Sequence, residues 1–237
     1  MKLLTEKDRI RYARNIAIED MGEAGQRKLL DAKVLVVGCG ALGSVVSTYL
    51  VASGVGEVAI ADFDTIDISN LQRQVMYRTE DAGLYKSSIL AERLKSLNPD
   101  VKVTDLRMVV REKEAMELFG NYDFIVDGSD NPNTKYMTSG VCENLGLPCS
   151  IGGVYEFKGQ LTTYLPGTTP YHSIFPPIRT SGILPCSSGG VFGPLPGMIG
   201  TMQASEAIKY IAECGELLTD KLFVADLKNM QFMLFAV

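Results

Sequence analysis

Ten residues constrain this chain more than any others: Val34-Leu35-Val36-Val37, followed without a break by Gly38-Cys39-Gly40-Ala41-Leu42-Gly43 and then an apolar stretch. Four consecutive apolar, mostly β-branched residues predict a strand buried on both faces, as in a parallel sheet covered by helices. In a G-x-G-x-x-G turn the first glycine permits the bend and the second lets a phosphate approach the backbone. The third lets the following helix pack against the strand, and that helix's N-terminus offers unpaired N–H groups to an anion. A second strand, 57–61, ends at Asp62, about twenty residues past the glycines, where this architecture puts an acid on a ribose hydroxyl. Strand, turn, helix and acid together predict a nucleotide site. The competing reading is a glycine turn that only packs helix on strand. The turn does not say which nucleotide.

The remaining pattern repeats the unit. Residues 5–15 and 23–31 predict two short helices before the first strand, with Thr5 and Asp8 forming an N-terminal capping box. Helix 86–97, closed before Asn98-Pro99, carries Ile89, Leu90, Leu94 and Leu97 at helical spacing, and strand 101–106, helix 112–119 and strand 124–126 follow. Helix 133–145, a short strand 148–151 ending in Gly152-Gly153, and strand 160–164 come next. Residues 165–196, rich in Pro, Gly, Ser and Thr without a period, predict a long mobile loop of the kind that is usually functional. Helix 197–214 and strands 222–227 and 232–236, paired across 228–230, end the chain. The expected fold is an α/β, Rossmann-like, doubly wound and mainly parallel sheet, with N-terminal helices and a C-terminal helix plus strand hairpin.

At 237 residues the chain fits one domain. Its net charge of -5, spread without blocks, argues against nucleic acid or an anionic membrane as partner, since both demand a basic face. No signal sequence or twenty-residue apolar span is present, so a cytoplasmic location is expected. Five widely spaced cysteines, 39, 142, 149, 186 and 214, form neither a disulfide framework nor a C-x-x-C clamp and suit reduced thiols.

Charge bears on which nucleotide is bound. A triphosphate with pyrophosphate leaving needs several cations and usually a carboxylate-held metal. Arg73 on the loop after the second strand, Lys86 opening the next helix, and Asp130 after the fourth strand all lie near carboxyl strand ends. Singly each is an ordinary surface charge; as a set beside a glycine turn they predict convergence.

With Asp62-Phe63-Asp64, Ser69-Asn70-Leu71-Gln72-Arg73-Gln74, Lys86, Leu97-Asn98-Pro99 and Asp127-Gly128-Ser129-Asp130-Asn131 added to the glycine turn, the chain resembles the ThiF, MoeB and HesA family, bacterial relatives of ubiquitin-activating enzymes. The similarity runs through Gly193-Pro194-Leu195-Pro196-Gly197 to the helix after it. It implies one adenylation domain, with helices in 1–31, a nucleotide-binding core in 32–153 and a carrier-binding and dimer part in 154–237. It also implies ATP and magnesium as cofactors and adenylylation of the C-terminal glycine of a small ubiquitin-fold sulfur carrier ending in Gly-Gly, within a homodimer. The pathway would be thiamine or molybdenum-cofactor biosynthesis.

On matching positions, the resemblance assigns nucleotide contacts to Gly38, Gly40, Ala41, Gly43, Asp62, Asp64, Ser69, Asn70, Leu71, Gln72, Arg73, Lys86, Asp130 and Asn131. Asp130 would also hold magnesium. Catalytic roles fall on Arg73, Lys86, Asp130 and Arg14, the last reaching into the neighbouring subunit, and on Cys186, which some relatives link covalently to their carrier. A lone loop cysteine is inert unless its pKa is lowered, so Cys186 stays open between the two. Many members hold structural zinc in two C-x-x-C pairs; here the first position reads Tyr171-His172-Ser173-Ile174 and no second pair occurs, so no structural zinc is expected. Two other classes remain: a related enzyme that activates a small molecule or a modified tRNA base with ATP, and a non-catalytic or NAD-binding protein.

Overall fold

The computed structural model describes residues 3–175 and 189–237. Its centre is an eight-stranded sheet of order β3-β2-β1-β4-β5-β6-β7-β8. The strands are β1 (Lys33–Val37), β2 (Glu57–Ala61), β3 (Lys102–Leu106), β4 (Phe124–Asp127), β5 (Cys149–Tyr155), β6 (Lys158–Tyr164), β7 (Lys221–Asp226) and β8 (Gln231–Ala236). Strands β1 to β5 pair parallel and β6 to β8 extend the sheet antiparallel.

The unbroken apolar run in β1 has the expected cause. Val34 and Val36 point into one core, with Leu50, Leu90 and Phe124, while Leu35 and Val37 point into a second, with Phe119, Ile125 and Ile151. The first core is covered by α3 (Gly22–Asp31), α4 (Gly43–Ala52), α5 (Lys86–Leu97) and α9 (Pro194–Ala212). The second is covered by α6 (Glu112–Leu118), α7 (Pro132–Leu145) and α8 (Tyr171–Ile174). From β1 the chain winds outward through β2 and β3, then returns to β4 on the other side of β1, so that the crevice between β1 and β4 is the switch point where such sheets bind ligands. Among the described residues no helix is long and apolar enough to cross a membrane.

Several boundaries differ from those the sequence predicts. The first helix is two, α1 (Glu6–Arg11) and α2 (Ala13–Ile16), although the Thr5–Asp8 capping box is present. They break at buried Tyr12, which leaves helical geometry at φ -103°, ψ 17° and whose hydroxyl accepts from Asn98 Nδ2 at 2.8 Å. Strand β5 does not stop at Ile151 but runs through Gly152-Gly153 to Tyr155. These glycines read as a strand end, yet Gly152 is a packing position: a Cβ there would sit 2.6 Å from Gln203 Oε1 on α9. The 165–196 segment contains α8, and α9 starts at Pro194, earlier than expected; residues 176–188 of that segment lie outside the described residues.

The packing generates a paired prediction. A Cβ on Gly43 would lie 1.8 Å from the Gly38 carbonyl oxygen, whereas one on Gly140, inside α7, meets nothing within 4 Å. In urea unfolding, Gly43→Ala should cost at least about 3 kcal/mol because backbone must move. Gly140→Ala should stabilise by about 0.5–1 kcal/mol through helix propensity alone.

Candidate active site

Three glycines bring two loops into contact at the switch point. Gly38 adopts φ +92°, a left-handed conformation that side chains rarely take, and its oxygen lies under Gly43 at the start of α4. Gly128, after β4, is pressed equally close: a Cβ there would be 2.7 Å from Gly43 N and Cα. Gly40 is different. A Cβ on it would meet only Gln74 Nε2, at 3.7 Å, so its face of the turn is open. The N–H groups of Gly40, Ala41 and Leu42 donate to no backbone carbonyl among the described residues. Open space at Gly40, donors without backbone acceptors and the positive end of a ten-residue helix are what binding an anion requires.

The loop after β2 fastens this turn. Cys39 N–H donates to Asp62 Oδ2 at 2.7 Å and Asp64 N–H donates to Asp62 Oδ1 at 2.7 Å. Burial pushes the Asp62 carboxyl up in pKa, and the two N–H donors work against that. Each oxygen keeps a lone pair for a ribose hydroxyl, but the acid also braces the turn. Asp64 Oδ2 lies 3.2 Å from Lys86 Nζ, whose side chain is 9% exposed, and the Asp64 carbonyl accepts from Lys86 N–H at 2.9 Å. Lys86 is therefore held at the crevice by Asp64 and by its place at the start of α5.

Further along, Ile68–Asn70 forms a turn of 3₁₀ helix capped by Asp67, which accepts from Ser69 N–H at 2.8 Å. The Asn70 Oδ1 accepts from Asp67 N–H at 3.4 Å, and Arg73 Nη1 donates to the Ser69 carbonyl at 3.1 Å. Leu71 packs on the first core, and Gln72 Nε2 donates to the Val191 carbonyl at 3.5 Å. These contacts tie the loop to the first core and to the segment before α9.

The loop after β4 has a buried base and an exposed tip. Asp127 is fully buried; its Oδ1 accepts from Lys135 Nζ at 3.0 Å, Ser129 N–H at 3.0 Å and Ser129 Oγ at 2.7 Å. Lys135 Nζ also donates to the Ser129 carbonyl at 2.6 Å, and Gln203 Nε2 on α9 donates to the Asp127 carbonyl at 2.8 Å. The exposed tip carries Asp130. Asn131 caps α7, accepting from Asn133 N–H at 2.9 Å, with Pro132 at the first helical position. Among the described residues no three His, Cys, Asp or Glu stand together as a metal cage. Magnesium on substrate phosphates needs less, one or two carboxylates with the remaining positions filled by phosphate and water, and Asp130 at a crevice mouth fits that donor set.

Arg14 is not brought to this crevice in its own chain. Its neighbour Asn15 donates to Gln26 Oε1 at 3.2 Å, and Gln26 Nε2 donates to the Ser53 carbonyl at 2.9 Å, at the C-terminus of α4. The glycine turn is at the other end of α4, about 15 Å away at the rise of an α-helix. Cys186 lies outside the described residues. The sequence reading missed Gln74, Tyr77, Asp127 as a buried ion, Lys135 and Gln203. Asp127 left a signal, an acid closing an otherwise apolar strand, and Gln74 stands in the Ser69–Gln74 stretch that carries the family resemblance.

Removing the lysine tests the buried pair. Lys135→Met strands the Asp127 carboxylate, and urea unfolding should show a loss of about 3–5 kcal/mol. The double variant with Asp127→Leu should recover part of it.

Comparisons with known proteins give the family. A family model described as the ThiF family matches residues 12–237. A SAMP-activating enzyme E1 of Haloferax volcanii is 40% identical over 223 residues, covering 94% of this chain and 83% of that protein. A sulfur carrier protein adenylyltransferase of Thermus thermophilus is 37% identical over 235 residues, covering 96% and 87%. The adenylyltransferase and sulfurtransferase MOCS3 of Caenorhabditis briggsae is 39% identical over 226 residues, and the chain spans 56% of its length. A crystal structure of E. coli MccB with AMPCPP and selenomethionine MccA superposes with a TM-score of 0.83 at 25% identity, covering 95% of this chain and 71% of that one.

Proposed function

The chain belongs to the ThiF family, and from that premise we propose that it uses ATP to adenylate the C-terminal glycine of a small ubiquitin-like sulfur carrier, releasing pyrophosphate. The observation that supports the proposal is that the Gly40, Ala41 and Leu42 N–H groups donate to no backbone carbonyl among the described residues, in a turn pressed against the root of the Asp130 loop at Gly128 and braced by the loop that holds Lys86. The relatives named as SAMP-activating enzyme and sulfur carrier protein adenylyltransferase give the substrate class its support. Sulfur transfer in thiamine or molybdenum-cofactor biosynthesis is the proposed setting.

The reaction follows from charge. The carrier's terminal carboxylate, already ionised, attacks the α-phosphorus; the bond from that phosphorus to the oxygen bridging to the β-phosphorus breaks. Pyrophosphate takes the electron pair, and a mixed acyl-phosphate anhydride with AMP remains. No side-chain base is needed. Backbone donors at the turn and the ammonium of Lys86 offset charge gathering on the phosphates, and because Asp64 and the start of α5 hold Lys86 in advance, little reorganisation is required. Arg73 and Asn70 stand on the same loop to meet phosphate, and Asp62 to meet ribose. Asp130 would hold magnesium, which supplies further compensation for triphosphate charge when bound.

A protein substrate needs a protein-sized surface. The antiparallel hairpin β7–β8 offers one, with Phe232, Leu234 and Phe235 about half exposed at the sheet's edge.

The test is exchange of labelled pyrophosphate into ATP. With magnesium and a carrier ending in Gly-Gly the protein should catalyse it, and without the carrier it should not. Asp130→Ala should lower the rate by at least about a hundredfold, as expected when fixed charge compensation at a transferring phosphoryl group is removed. Exchange that required a small molecule or tRNA in place of the carrier would overturn the proposed substrate.

We further propose that Arg14 acts across a two-fold dimer. It is exposed, it lies at the far end of α4 from its own glycine turn, and beside it Ile18 and Tyr49 expose apolar surface with Thr201 and Ile208 of α9. Arg14→Ala and Asp130→Ala homodimers should each be nearly inactive. Mixed in equal amounts with subunit exchange verified, about half the dimers are hybrids with one intact site of two, so activity should return to roughly a quarter of wild type. No recovery from two inactive homodimers would mean that Arg14 serves its own chain, and an Arg14→Ala homodimer as active as wild type would mean that it has no role.

A further inference from the structure

We propose that Tyr77 is a positioning residue that presets the phosphate-facing peptide of the glycine turn. The inference rests on the nucleotide-binding role of that turn and adds a residue to it. Tyr77 is 5% exposed, packed into the first core, and its hydroxyl donates to the Cys39 carbonyl at 2.6 Å. The Lys86 carbonyl lies 3.4 Å from the same hydroxyl, at the opening of α5.

The consequence follows from peptide geometry. The bond between Cys39 and Gly40 is planar and trans, so the Cys39 carbonyl and the Gly40 N–H point in opposite directions. Tyr77 draws the carbonyl inward, to the core; the Gly40 N–H then points away from it, at a glycine with open space where a side chain would be. Asp62 fixes the other end of Cys39 by accepting its N–H at 2.7 Å. The residue before the open glycine thus has both backbone polar groups held by side chains from the loop after β2. Glycines flank it on both sides, and without these two bonds the Cys39–Gly40 peptide could rotate at little cost. Orientation set before the ligand arrives is worth affinity, since the ligand does not have to order the loop. The hydroxyl's second neighbour, the Lys86 carbonyl, puts Tyr77 between the two elements that carry the phosphate donors. Its hydroxyl is buried and its partners are backbone carbonyls, so it acts through the turn.

Tyr77→Phe removes one oxygen and keeps the ring in the core. Binding of ATP and of adenosine is measured on wild type and variant by competition against a fluorescent ATP analogue, with the fold followed by circular dichroism. ATP affinity should fall about tenfold, while adenosine, which lacks phosphate, should bind within about twofold of wild type, a free-energy difference near 1.4 kcal/mol between the two ligands. A role in general stability would weaken both ligands alike. Equal losses, or no loss for ATP, would overturn the assignment of Tyr77. A wild-type protein that bound no ATP would overturn the nucleotide site itself. Wild-type protein that binds ATP and fails to adenylate a carrier leaves the Tyr77 comparison intact and removes only the proposed substrate.

Discussion

The structure depends on a contact between backbones: the Gly38 carbonyl lies against the Cα of Gly43, and Gly43 against Gly128, with no side chain between. This closeness lets helix α4 start directly above β1 and lets the loop after β4 lie beside it, so two segments about ninety residues apart in sequence share one crevice. A methyl group at Gly43 or Gly128 would force the loops apart. The turn and the root of the Asp130 loop would then no longer be in contact.

Charges around the crevice are mostly held before any ligand arrives. Lys86 rests on Asp64, Asp62 braces the turn, and Asp127 and Lys135 form a buried pair that fixes the root of the Asp130 loop. A buried pair of this kind adds little net stability compared with apolar replacements, because desolvation offsets most of the attraction. Its return here is geometric: the Ser129 carbonyl, N–H and hydroxyl are all engaged at the root, leaving only the tip to move. Fixed dipoles and charges are what phosphoryl chemistry uses, since solvent would have to reorganise to do the same work.

Helix α9 links the parallel and antiparallel parts of the sheet. Gln203 reaches the carbonyls of Asp127 and Ser150, and Ile199 lies over Gly152 and Gly159, so the helix sits close on β5 and β6 while holding the root of the Asp130 loop. Glu206 on the same helix accepts from Thr163 Oγ and from Leu218 N–H, both at 2.7 Å, and anchors the segment leading to β7. The proposed carrier surface and the proposed phosphate site thus rest on one rigid element.

Local chemistry wrote much of this into the sequence. The apolar run of β1, the glycine spacing, the acid after β2, the helical period of 86–97 and the Asp130 loop at a strand end all depend on neighbours within a turn or a strand, and the doubly wound class and the location of the crevice were legible from them. Tertiary contacts decided the rest. Gly152-Gly153 reads as a strand end by propensity, and becomes strand because α9 presses on it; Tyr12 breaks a helix because Asn98, 86 positions away, holds its hydroxyl. The role proposed for Tyr77 depends on a carbonyl 38 residues earlier. Lys135 is buried on α7 because Asp127 lies under it. In each case the deciding partner is distant along the chain, and only folding brings the two within hydrogen-bond reach.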